Sequence, residues 1–186
     1  MKLRPIDRAG LFRTVAEWLS LKENYQWLDF GNGRQILTPE WLKIMTQRDT
    51  EVLRAFTSDH DDTPIGVVGL TNIDRAFRTA RIWVVAGDTS FRARGYATRA
   101  ASRLLTYGFE TVGLNVVNTW IVEHNPSLRI AQRLQFRLIG RQRQCHLIDG
   151  VAYDRLWFDL LASEHKEIPD VRVERRRAPD HPAVSG

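Results

Sequence analysis

Apolar residues along this chain recur in two rhythms, one helical and one alternating. Leu11, Val15, Trp18 and Leu19 fall on one face of a helix expected over residues 8–20, with Asp7 placed to cap it. Ahead of it, Leu3 to Ile6 reads as a short strand. Tyr25 to Thr38 keeps no period; it is aromatic, with a turn at Gly31-Asn32-Gly33. Thr38-Pro39 is a helix start, with Thr38 as cap and Pro39 in the first turn, and the short helix carries Trp41, Leu42 and Met45. Glu51 to Thr57 alternates as a strand, Asp59 to Pro64 turns, and Ile65 to Asn72 returns, which makes a hairpin. Thr79 to Ala86 reads as a third central strand. Ala97, Ala101, Leu104, Leu105, Gly108, Phe109 and Val112 then mark one helical stripe. Leu114 to Glu123 is almost continuously apolar, as a buried strand is. A helix over Ser127 to Leu134 precedes two strands, Phe136 to Gln144 and Tyr153 to Leu161, around a turn at Asp149-Gly150. The order β, α, α, β, β, β, α, β, α, β, β predicts a mixed sheet with helices on both faces.

Composition narrows the class. A chain of 186 residues with 43% hydrophobic content predicts one globular domain. We expect that domain to span residues 1–164, with 165–186 as a basic, Pro-containing tail. No run reaches the roughly 18 apolar residues of a membrane span, and no apolar signal core follows Met1-Lys2-Leu3-Arg4-Pro5. Cys145 is the single cysteine, so no internal disulfide can form, and the expectation is a cytoplasmic protein. Cys145 lies in a polar, basic neighbourhood and reads as a strand residue rather than a nucleophile. The net charge of +5 favours acidic ligands, but much of it sits in Val171 to Arg177, which reads as a solvated tail or a contact with a partner subunit or RNA. Nucleic acid is not otherwise expected. The five histidines are scattered and show no metal-ligand spacing.

The most specific chemistry lies at Arg92-Ala93-Arg94-Gly95-Tyr96-Ala97. An apolar strand, a turn of small residues and a helix N-terminus leave several backbone N–H groups free for an anion. Several N–H groups with a basic side chain suit a pyrophosphate better than one carboxylate. The alternating βαβ order of a dinucleotide-binding domain is missing, as is an acidic residue at the ribose position. No Gly-Lys-Ser/Thr follows, which excludes a Walker phosphate loop.

In element order the chain resembles a GCN5-related N-acetyltransferase (GNAT), within the branch of ribosomal-protein-alanine, spermidine and amino-sugar acetyltransferases. Six stretches in the right order carry the resemblance: Ile65 to Leu70, Ala86 to Thr98, Tyr107-Gly108-Phe109, His124 to Ser127, Arg133 to Phe136, and Asp149 to Asp154. It implies an α/β (α+β) fold with a mixed, mostly antiparallel sheet of roughly six to seven strands, splayed between the fourth and fifth. It implies acetyl-CoA as donor, no metal, and a small-molecule or peptide amine as acceptor. Pyrophosphate would lie on Ala93, Arg94, Gly95, Tyr96, Ala97 and Thr98, with charge from Arg92 and Arg94. Pantetheine would run beside Val84, Val85 and Ala86, with Asn125 and Arg129 also on the cofactor. A bulge in that strand would turn a backbone N–H toward the thioester carbonyl. A homodimer through late strands or the C-terminal end is compatible with the resemblance.

Departures from the family pattern concentrate where proton transfer would occur. Relatives often carry a carboxylate before a glycine on the third central strand; Arg81 and Trp83 hold those places. The family asparagine position falls on His124, or on Asn125 if the loop is one residue shorter. The tyrosine that protonates the thiolate in some relatives is replaced by Ala131, with Ser127 the nearest substitute. Glu123 and His124 are the candidate bases. Trp27, Arg81, Trp83 and Tyr153 are the candidate acceptor residues, in a region that also holds Trp18, Tyr25, Phe30 and Trp41. Glu23, Asp29, Glu40 and Asp59 to Asp62 would be the carboxylates for a polyamine. The competing reading is a GNAT-fold acyl-CoA-binding module that acts through a protein or RNA partner without transfer.

Overall fold

The computed structural model describes residues 1–29 and 37–169. The Gly31-Asn32-Gly33 turn, Phe30 and the arginine-rich tail lie outside them. Elements run β1 (Leu3–Pro5), α1 (Ala9–Ser20), α2 (Lys22–Tyr25), α3 (Pro39–Thr46), β2 (Val52–Thr57), β3 (Pro64–Asp74), β4 (Thr79–Ala86), α4 (Tyr96–Tyr107), β5 (Val116–Val122), α5 (Leu128–Arg133), β6 (Arg137–Ile148) and β7 (Val151–Leu161). The strands form one seven-stranded sheet in the order β1-β2-β3-β4-β5-β7-β6. Every neighbouring pair is antiparallel except β4 and β5. The predicted mixed sheet is therefore present, with helix α2 added.

Strand alternation divides the apolar residues between two layers. Leu53, Ala55, Val67 and Val85 join Leu11, Val15, Leu19 and Leu42 on the α1/α3 face. Val68, Leu70, Ile82 and Val117 join Ala100, Leu104 and Leu105 on the α4 face. Leu19, Leu42, Leu104 and Leu105 are fully buried, as their helical spacing requires. At α3, Thr38 Oγ1 accepts from the Trp41 backbone N–H at 3.2 Å and Pro39 opens the helix. Asp7 does not cap α1: Arg8 is the residue before the helix, it makes no side-chain capping bond, and Asp7 lies 3.7 Å from the Arg8 guanidinium. Asp7 is one residue too early to reach the free N–H groups.

Two glycines make room for indoles beside the site. A Cβ on Gly69 would lie 2.7 Å from Trp83 across the β3–β4 ladder, and one on Gly87 would lie 2.0 Å from Trp18 of α1. The expected bulge in β4 is absent: pairing with β3 is unbroken from Arg81 to Ala86. The irregularity falls between Thr71 and Asp74, where Asn72 takes φ 54°. The β6–β7 hairpin turns on Asp149 and Gly150, both at positive φ, which is how a two-residue turn matches strand twist. β6 runs four residues beyond the predicted Gln144, through irregular pairing between Gln142 and His146. Residues 162–169 pack back along α4, with the Ile168 N–H on Ser102 Oγ at 2.8 Å. Among the described residues no helix is long and apolar enough to cross a membrane.

Candidate active site

β4 and β5 run parallel for three residue pairs only, Thr79 to Arg81 against Val116 to Asn118. Beyond Arg81 the strands part. Thr119 Oγ1 donates to the Ile82 carbonyl at 2.9 Å at the fork, and the β4 edge from Trp83 to Ala86 faces the opening without a β5 partner. This is the predicted splay: the parallel ladder ends at Arg81 and Asn118.

At the open end of β4, Asp88 takes Ser90 N–H and Oγ at 2.9 and 2.7 Å and fixes a short turn at Thr89–Phe91. That bonding holds the Asp88 carboxyl below its ordinary value. Ala93 and Gly95 follow at φ 61° and 81°, and α4 begins at Tyr96. Among the described residues, no backbone N–H from Ala93 to Thr98 donates to a protein acceptor. A Cβ on Gly95 would meet no atom within 4 Å. The result is a run of unbonded N–H donors at a helix N-terminus, with open space at the glycine, chemistry that suits a phosphate group. The two arginines of the loop are partly committed: Arg92 pairs with Glu23 at 2.7 Å and reaches Asn24 Oδ1 at 3.3 Å, and Arg94 lies over the Phe91 ring at 5.5 Å. Arg92 thereby ties the loop to α2.

The other predicted residues separate into two groups. Trp27, Arg81 and Trp83 come together with Leu28, Asp29, Ile82, Thr119 and Trp120 around a small cleft at the fork. Arg81 is paired there by two bonds to Asp29, at 2.9 and 3.2 Å. At the C-terminal end of β5, His124 takes φ 70° and lies edge-on to Tyr153 at 6.4 Å. His124 is exposed. Both oxygens of Glu123 are engaged: Oε1 accepts the Asp154 backbone N–H at 3.0 Å and Oε2 lies 3.5 Å from Arg141. Asp154 accepts from the Gln144 N–H and from Arg141, which hold its carboxyl below the ordinary range. Asn125 Oδ1 accepts the Ser127 N–H at 2.8 Å and shapes the start of α5; the Ser127 hydroxyl has no partner among the described residues, and Arg129 is exposed. Ala131 is buried.

Most carboxylates suited to a polyamine are occupied elsewhere. Asp59 holds buried Arg99 by two bonds, at 2.9 and 2.7 Å, and also the Met1 ammonium, so its carboxyl lies far below the usual range. Asp62 pairs with Lys2 and Arg4, Glu23 with Arg92, and Glu40 caps its own helix. Asp29 alone of this set lines the cleft. Trp18 seats on Gly87, and Trp41 packs on the α1/α3 core.

A cluster on β5, β6 and β7 was not singled out from the sequence. The Arg155 guanidinium lies 3.9 Å above the Trp120 ring and donates to His146 Nδ1, and His146 Nε2 donates to the Gln26 carbonyl at 2.6 Å. These residues meet only through the register of three strands, so no local signal marks them.

A family model described as "Acetyltransferase (GNAT) domain" matches residues 1–137. A Bacillus subtilis protein bearing the name ribosomal N-acetyltransferase YdaF is 28% identical over 153 residues, 81% of this chain and 79% of that protein. The fold is similar to spermidine N-acetyltransferase from Vibrio cholerae, solved with CoA and spermine, at a TM-score of 0.77 and 19% identity over 88% of this chain and 96% of that one. It is also similar to Mycobacterium smegmatis RimJ, solved with CoA-disulfide, at a TM-score of 0.72 and 19% identity over 87% and 82% of the two chains.

Proposed function

The chain belongs to the GNAT acetyltransferase family, and from that premise we propose that it transfers acetyl from acetyl-CoA to a primary amine by direct attack within a ternary complex. The acceptor is a small molecule or a protein N-terminus. The observation that carries the donor assignment is the run of backbone N–H groups from Ala93 to Thr98 with no acceptor among the described residues, beside a glycine with open space. A helix N-terminus and consecutive donors compensate the charge of a pyrophosphate. Bound acetyl-CoA supplies the activated thioester; the remaining roles fall to this chain. The unpaired β4 edge from Trp83 to Ala86 offers backbone groups along the fork.

The acceptor amine must shed a proton before attack. Glu123 is spent on Asp154 and Arg141, which leaves His124 as the imidazole able to pass that proton to solvent. Ser127, whose hydroxyl has no partner among the described residues, is the candidate donor to the departing sulfur. Trp27, Trp83 and Trp120 wall the cleft and hold the acceptor in place, so positioning provides much of the rate.

Initial rates with acetyl-CoA and the amine both varied test this reading. Intersecting double-reciprocal lines are expected, together with full activity in Cys145→Ser. Parallel lines, or an acetylated enzyme trapped without amine, would exclude direct attack.

A further inference from the structure

Arg155 has no carboxylate partner among the described residues, yet it is held firmly. Its guanidinium stacks on Trp120 at 3.9 Å. Nε and Nη2 both point at His146 Nδ1, at 3.2 and 2.9 Å. A guanidinium can only donate, so Nδ1 accepts and the ring proton sits on Nε2, where it donates to the Gln26 carbonyl. His146 is 6% exposed, so this orientation is fixed by packing as well. One edge of the fork is therefore used, and the other, Nη1 with the second hydrogen of Nη2, has no acceptor among the described residues. A planar fork with one edge pre-oriented and one edge free matches the two oxygens of a carboxylate or phosphate.

The position suits an acceptor. Trp120 carries Arg155 on its ring and also lines the cleft with Arg81 and Trp83. Gln26, gripped by His146, directly precedes Trp27, Leu28 and Asp29 of the cleft wall. Thus the contacts that orient Arg155 also anchor that wall. Charge points the same way. Arg81 is balanced by Asp29, whereas Arg155, beside the cleft, has no carboxylate among the described residues to balance its charge. A polyamine would meet that charge, and Asp29, the one carboxylate among the described residues lining the cleft, is already paired with Arg81.

We propose that Arg155 is an anion-recognising residue of the acceptor site, so the amine acceptor carries a carboxylate or phosphate that docks on the free guanidinium edge. This rests on the acetyltransferase reading, and its test separates the two. Two probe pairs suffice: phenylalanine with phenylalaninamide, and glucosamine 6-phosphate with glucosamine, with spermidine as the cationic control. The anionic member of at least one pair should show about tenfold or greater kcat/KM over its neutral partner, mainly through KM. The pair that responds identifies the acid. In Arg155→Gln that ratio should fall to near one, and Arg155→Lys, which keeps the charge without the fork, should restore part of it. The ratio within a pair cancels any general loss of folded enzyme. Calorimetric titration of the CoA-loaded protein with the same probes gives the second readout. Tighter binding of the anionic probe without transfer would sink the acetyltransferase reading and leave the anion site standing. Equal use or equal binding of both members, no binding of any anionic probe, preference for spermidine, or an unchanged ratio in Arg155→Gln would overturn the anion site.

Discussion

Gly95 and Gly113 form a matched pair for testing the phosphate cradle. Both take φ 81°, and at both a Cβ would meet no atom within 4 Å. Alanine at either position pays the left-handed backbone penalty of about 1 kcal/mol, without a steric clash. For a protein of this size that lowers Tm by roughly 3 °C, and the two variants should melt together. Only Gly95 lies in the row of N–H groups from Ala93 to Thr98. A methyl there would keep a phosphate from closing on its donors. Losing two charge-assisted hydrogen bonds, at about 1.5 kcal/mol each, raises the Kd roughly 100-fold. Calorimetric titration with CoA and thermal melts of both variants read the two effects separately. Gly95→Ala should bind CoA about 100-fold more weakly, Gly113→Ala should bind like the parent, and Gly95→Trp should not bind while remaining folded. Parent-like affinity in Gly95→Ala and Gly95→Trp would refute the placement of the pyrophosphate.

Asp59 should make stability sensitive to acid. Its hydrogen bonds to Arg99, then to the Met1 ammonium, depress its carboxyl in the folded state, so the stabilisation is present above the unfolded value and is lost as pH falls. Asp59→Asn removes the carboxylate paired with buried Arg99 and should lose about 3 kcal/mol in urea melts at neutral pH, with the gap to the parent narrowing from about pH 4 downward; a pH-independent gap would contradict this. Gly87→Ala, with its Cβ at 2.0 Å from Trp18, should destabilise by about 2 kcal/mol in the same melts. Thr119→Val removes the hydroxyl that bonds Ile82 at the fork, and should cost about 1 kcal/mol of stability and raise KM for acetyl-CoA.

What the sequence revealed followed the range of each interaction. Strand alternation and helix stripes are local, and Thr79 to Ala86 appears as a strand with the predicted ends. The Thr38-Pro39 start is equally local and holds. The open turn at Ala93 to Thr98 was legible because glycine at a strand-to-helix turn is a local requirement. The acceptor side was not. Asp29 and Arg81 lie 52 residues apart, and nothing between them signals the pair. Arg155 and Trp120 meet because Val122 stands opposite Arg155 in the β5–β7 register, and His146 joins them through an irregularity in β6. Glu123 reads as a base from its place at a strand end, yet Arg141 on the edge strand claims it. Of the aromatic residues in the first third of the chain, Trp27 reaches the cleft, while Trp18 is drawn to the space left by Gly87.

Mixing the protein with acetyl-CoA and a panel of amines, and counting released thiol against acetylated amine, addresses acetyl transfer itself. One acetylated amine should form for each free thiol, and release should stop in Gly95→Trp. Tight CoA binding with no thiol release for any amine would contradict the assignment and leave a binding module on the same fold.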